Sequence, residues 1–135
     1  MAEKTVSVTR SELEVMRQDA MARKPEEACG LLVGREEGDR VKVEEVVPMS
    51  NLSKSSERFS IDPEEMYVVL QEAEDKGRTV VGSYHSHPSD HLPSCLDAKY
   101  MQHTSYVWMI VPEKGEVRAY VFEDGIKEMR MEEAR

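Results

Sequence analysis

The chain is predicted to be of the α/β (α+β) class. Three observations carry this: strand-length runs rich in Val, Ile and Thr, helix patterns with recognisable starts between them, and a size that suits one core. With 135 residues, 39% of them hydrophobic, residues 1–135 are enough for a single domain and too few for two ordinary ones.

Thr5-Val6-Ser7-Val8 alternates as a short first strand. Either Thr9-Arg10-Ser11-Glu12 or Ser11-Glu12-Leu13-Glu14 then offers a helix cap. Leu13, Met16, Ala20 and Met21 form the expected inner stripe of this helix, which Pro25 ends. The run Ala28 to Val33 is apolar, and Gly30 and Gly34 allow close approach by other backbone, with Glu27 at its entrance. Glu36-Glu37-Gly38-Asp39 reads as a hairpin turn, Val41 to Val47 as the returning strand, and Pro48 as its stop. Met49 to Ser60 is polar and serine-rich, as expected for a surface loop. Asp62-Pro63-Glu64-Glu65 starts a helix that runs to about Lys76, burying Met66, Val69, Leu70 and Ala73 and stopping at Gly77. Arg78 to Tyr84 is a buried strand, and Ser94 to Gln102 carries a short helical pattern. Tyr106 to Val111 reads as a central strand closed by Pro112. Val117 to Phe122 and Ile126 to Met131 are two further strands, and Glu132 to Arg135 a frayed tail.

Composition excludes several classes. A formal net charge of -9 with 33% charged residues disfavours a phosphate-directed nucleic-acid surface. No apolar run is long enough for a membrane span, and Met1-Ala2-Glu3-Lys4 does not open like a secretory signal, so a cytoplasmic location is expected. The only cysteines are Cys29 and Cys95, which argues against a disulfide scaffold and a Cys-x-x-Cys knuckle. Cys29 lies two after Glu27, on the same face of its strand, and Cys95 follows Ser94, so a thiol nucleophile activated by His85 or His87 is a rival reading, ranked low because it leaves the ligand set described next unexplained.

That set lies in Gly82-Ser83-Tyr84-His85-Ser86-His87-Pro88 and its continuation to Asp97. On a strand, His85 and His87 fall on the same side, about 6.5 Å apart at the backbone. Pro88 ends the strand and leaves both rings at its carboxyl end. Ser94 and Asp97 are three apart and share a helix face, so Asp97 can complete a His, His, carboxylate set. Three protein ligands with a fourth position left to water is the arrangement of a catalytic zinc. Each residue alone has an ordinary explanation: a strand-end histidine is commonly a core or surface residue, and a serine three before an aspartate is commonly a helix cap. His91 and His103 remain over, one in the loop beside the proposed metal and one after the short helix.

His85-Ser86-His87-Pro88, then Ser94-x-x-Asp97, with Glu27 upstream in Glu27-Ala28-Cys29-Gly30-Leu31-Leu32, resembles the JAMM motif of the MPN+ zinc metalloproteases over almost the whole chain. The resemblance implies a mixed curved sheet flanked by helices, of cytidine-deaminase-like architecture. It implies one Zn2+ per chain on His85, His87 and Asp97, with Glu27 as the general acid/base for the attacking water and Ser94 as oxyanion donor. It further implies an isopeptidase or peptidase acting after the C-terminal Gly-Gly of a ubiquitin-like or sulfur-carrier protein, with the 49–60 loop as a candidate substrate contact. The chain between Asp97 and Tyr106 is too short for the second insertion of eukaryotic deubiquitinating members, so it looks like a minimal prokaryotic-type member. Five residues separate Pro88 from Ser94, one fewer than is usual in the family, and a tighter turn through Asp90 and His91 is expected to absorb the difference. The opposed reading is a non-catalytic MPN scaffold. A zinc nucleoside deaminase is set aside for want of Pro-Cys-x-x-Cys.

Overall fold

Strand β1 (Thr5–Thr9) passes directly into helix α1 (Arg10–Arg23), because Thr9 closes a capping box: its hydroxyl accepts from the Glu12 N–H and the Glu12 carboxylate accepts from the Thr9 N–H. The structure, a computed structural model, describes residues 4–54, 60–87, 93, 97, 101 and 106–134. Strands β2 (Cys29–Glu37) and β3 (Arg40–Met49) form the expected hairpin, turning at Gly38 with φ 64. Helix α2 (Pro63–Asp75) has Asp62 as N-cap and Gly77, at φ 71, beyond its end. Then follow β4 (Thr79–His87), β5 (Val107–Pro112), β6 (Arg118–Phe122) and β7 (Ile126–Ala134).

The curved sheet closes on itself in the order β1-β3-β2-β4-β5-β6-β7, with β1 parallel to both β3 and β7. The pairings β2–β3, β2–β4, β5–β6 and β6–β7 are antiparallel, and β4–β5 is parallel, so the sheet is mixed as the resemblance implied. No helix among the described residues is long and apolar enough to cross a membrane.

Each face of this wall carries its own core. On the α1 side, Val6, Val8, Leu32, Val41, Tyr84, Met109, Ala119, Val121 and Met129 pack with Met16, drawing on all seven strands. Burying each valine, leucine or methionine among them is worth roughly 1.5–3 kcal/mol of transfer free energy. On the α2 side, Cys29, Leu31, Val33, Met49 and Val80 pack with Ala73, against which Met66, Val69 and Leu70 are partly buried. A third cluster joins Met101 to Trp108, Ile110 and Tyr120.

The predicted close approach by backbone is present at Gly34, where a Cβ would lie 1.8 Å from the carbonyl oxygen of Lys42; at Gly30 the close neighbour is instead a side chain, the Tyr84 ring, 2.2 Å from where a Cβ would lie. Three sequence expectations need correction. Met21 is not part of the inner stripe of α1: it is 71% exposed, because the helix buries a narrow line centred on Met16. Pro48 does not stop β3; it pairs with Gly30 inside the strand. The ladder from β1 reaches only Lys42, so among the described residues no strand pairs with that side of β3 at Pro48, and its missing N–H costs no ladder bond there. The supposed tail after Met131 is strand: Glu132, Glu133 and Ala134 pair with Ser7, Val8 and Thr9, and Glu132 and Glu133 form ion pairs with Arg40 and Arg10.

Candidate metal centre

Strand β4 ends with His85 and His87, and alternation does what the sequence requires of it: Tyr84 joins the α1-side core while His85 faces the other way, against the Trp108 ring with centroids 5.7 Å apart. His85 is fully buried and His87 partly so. Asp97 and Met101 are both helical. Met101 packs in the cluster with Trp108 and Ile110, and Asp97, only 5% exposed, meets the histidines.

The convergence is tight. Nε2 of His85 lies 3.1 Å from Nε2 of His87, and Oδ2 of Asp97 lies 3.1 Å from the first and 3.0 Å from the second. Glu27 joins them: one of its carboxylate oxygens and a nitrogen of each ring lie within 4.8 Å of one another. Glu27 is 3% exposed, so it is not the solvated charge that a glutamate before a strand usually is, whereas Glu26 remains half-buried. The structure thus brings together four of the residues singled out by sequence. Ser94 lies outside the described residues, as do His91, Cys95 and His103. The short segment between Pro88 and Ser94 does not carry Asp97 away from the imidazoles, since its carboxylate is in contact with both.

Two ring nitrogens and a carboxylate oxygen directed at one point repel one another unless a cation lies between them or protons intervene. Burial, followed by His87, pushes the His85 imidazole below its ordinary value, with the Asp97 carboxylate opposing. A neutral ring presents a lone pair, which is the form that binds metal. Around a tetrahedral ion with bonds of about 2.0–2.2 Å, donors sit about 3.3–3.6 Å apart, a few tenths of an ångström beyond the spacing seen. The donor set therefore fits a divalent metal ion, and two imidazoles with a carboxylate suit zinc among others.

Cys29 does not belong to this chemistry. It packs in the α2-side core, its thiol lies 3.7 Å and 3.8 Å from the carbonyl oxygens of Met49 and Ser50, and burial pushes its pKa up to about 11. A thiol so held is a poor nucleophile.

Two residues near Glu27 were not legible in the sequence. Asn51, 6% exposed, donates from Nδ2 to the Glu27 carbonyl at 3.0 Å. Its Oδ1 accepts from the N–H groups of Ser53 and Ser60. The Ser86 hydroxyl accepts from the Ala28 N–H at 2.8 Å. An asparagine in a Ser-rich stretch reads as turn chemistry, and a serine between two histidines reads as filler. The sequence contains no signal of partners 24 and 58 positions away. Beside the site a cavity of about 280 Å3 opens, lined by Ala20, Pro25, Glu27, His87, Val111 and Pro112 among others.

Residues 9–123 match the family described as prokaryotic homologs of the JAB domain. A desampylase of Pyrococcus furiosus is 38% identical over 99 residues, which span 73% of this chain and 68% of that protein. A CysO-cysteine peptidase of Mycobacterium tuberculosis is 34% identical over 106 residues, 75% of this chain and 71% of the relative. The solution structure of a protein from Desulfitobacterium hafniense superposes with a TM-score of 0.85 at 32% identity, covering 96% of this chain and 92% of that one.

Proposed function

Given that the chain belongs to the family of prokaryotic JAB-domain homologs, we propose that it is a zinc-dependent peptidase or isopeptidase. Its substrate on this reading is the amide bond after the C-terminal Gly-Gly of a ubiquitin-like or sulfur-carrier protein. The observation that carries the reading is the mutual approach, at 3.0–3.1 Å, of His85 Nε2, His87 Nε2 and Asp97 Oδ2 beside the Glu27 carboxylate. The substrate class is supported by relatives named as a desampylase and a CysO-cysteine peptidase.

His85, His87 and Asp97 would hold the ion, and Asp97 rather than Glu27 would be the third ligand because its oxygen already touches both imidazole nitrogens. A zinc ion held there would supply Lewis acidity, making water available as a nucleophile near neutral pH. Glu27 accepts a proton from the attacking water and returns it to the leaving amine, a general acid/base role. Burial of Glu27 keeps bulk water from competing for that proton. Ser94 donates a hydrogen bond to the developing oxyanion. The leaving amine must reach Glu27, so the cavity lined by Glu27 and His87 receives the leaving-group side of the substrate, with the Lys24–Glu113 ion pair at 3.1 Å among its lining residues.

The experiment offers zinc-loaded protein a panel of ubiquitin-like and sulfur-carrier proteins, each joined through Gly-Gly to a peptide, a lysine side chain or a cysteine, with the cut read by mass. Cleavage after Gly-Gly that disappears in Glu27→Gln while zinc stays bound is the expected result. A protein that takes up no zinc under replete conditions is instead a scaffold, and the reading is wrong.

A further inference from the structure

The carbonyl of Glu27 and the N–H of Ala28 belong to one peptide unit, and both are held by side chains from elsewhere in the chain. Asn51 Nδ2 donates to the carbonyl at 3.0 Å, and the N–H donates to Ser86 Oγ at 2.8 Å. The next carbonyl, that of Ala28, accepts from the Ser86 N–H at 3.0 Å. Strand pairing does not do this work: β2 starts at Cys29, whose partners are His85 and Met49. The Asn51 amide is also oriented without ambiguity, because its Oδ1 already faces the N–H groups of Ser53 and Ser60, each at 3.0 Å, and a flipped amide would set N–H against N–H.

We propose that Asn51 and Ser86 are positioning residues that aim the Glu27 carboxylate at the metal centre by clamping the Glu27–Ala28 peptide from both ends. The inference depends on Glu27 being the proton carrier proposed above. Fixing that peptide plane fixes the Cα of Glu27 and its Cα–C bond, the axis about which the side chain can still turn, and so narrows where the carboxylate can reach. Ser86 sits between the two histidines on β4, so the strand that presents the ligands also grips the base. Base and ligands therefore move together. Misplacing a catalytic group by about 1 Å can cost a hundredfold in rate.

The competing role for Asn51 is to staple its own loop, and Asn51→Asp separates the two. An aspartate keeps an acceptor for the Ser53 and Ser60 N–H groups but turns an oxygen against the Glu27 carbonyl. For Ser86 the pair is Ser86→Ala, which removes the acceptor, and Ser86→Thr, which restores it. The full-length chain is used, with zinc content measured and a ubiquitin-like protein fused through Gly-Gly to a reporter peptide as probe. Amide hydrogen exchange is read at Ala28. The expected result is a kcat lowered on the order of tenfold to a hundredfold in Asn51→Asp and Ser86→Ala, with KM and zinc content unchanged. Ser86→Thr recovers most of the loss, and the Ala28 amide exchanges faster in Ser86→Ala but not in Ser86→Thr. Wild-type kcat in both Asn51→Asp and Ser86→Ala, while Glu27→Gln is inactive, overturns the clamp and leaves the role of Glu27 standing. Loss that follows zinc content or KM overturns it as well. A Glu27→Gln variant that cleaves normally overturns the reading of Glu27, and the clamp with it. If Asn51→Asp does not fold, the Ser86 pair decides alone. If no probe is cut, unchanged Ala28 exchange in Ser86→Ala overturns the clamp.

Discussion

Leu32 and His85 are both fully buried and lie on neighbouring strands of the same sheet, yet they occupy opposite kinds of interior. Around Leu32, on the α1 face, aliphatic side chains and Tyr84 fill the space, and the Tyr84 hydroxyl finds the Asp19 carboxylate at 2.6 Å. Around His85, on the other face, an acid and a second imidazole have been taken from water to stand within 3.1 Å of each other. Burial of the first kind yields transfer free energy. Burial of the second kind costs it, since desolvated polar and charged groups must be compensated by a partner. Such a cost is offset where a cation is bound between the donors, and the difference teaches that equal burial on the two faces of one sheet has opposite energetic signs.

The contrast is broken most severely by Asp97→Asn. The change keeps the shape and removes the charge, so zinc affinity should collapse and cleavage fall to background, read by metal content after dialysis and by turnover of the same sample. Leu32→Ala acts on the other face. It should cost about 2–5 kcal/mol of stability, measured by denaturant unfolding, while the folded fraction keeps its zinc and its turnover.

Acid sharpens the difference without mutation. His85 is held below its ordinary value of 6.5, so the unfolded chain takes up the proton first and the folded state loses stability as pH falls below that value. Above 6.5 this contribution is complete. Zinc occupancy should decline in the same direction, because protons compete for the ligands. Chelated and zinc-loaded samples unfolded on either side of pH 6.5 will show both effects. The smallest effect is expected for Cys29→Ala, with about 1 kcal/mol of stability lost and cleavage unchanged. Turnover lost there would revive a thiol nucleophile.

The residues proposed as ligands were legible because strand alternation and helical spacing are short-range rules: His85 and His87 are two apart, and Asp97 lies three after Ser94. Glu27 needed the family pattern, since nothing local distinguishes it from Glu26. The remainder depended on distant partners. Pro48 misled because a β3 edge left unpaired past Lys42 cannot be read from β3 itself, and Glu132 to Ala134 misled because charged residues hide a strand whose ladder lies at the other end of the chain. Asn51 and Ser86 were missed for the same reason.

The ring of strands has one seam where the beginning and end of the chain meet, between β1 and β7, and β4 lies three strands away from it in either direction. Thermal unravelling begins at chain ends. Looseness that starts at either terminus must cross β3 and β2, or β6 and β5, before reaching the histidines, so the circular layout sets β4 as far from both ends of the sheet order as the ring allows.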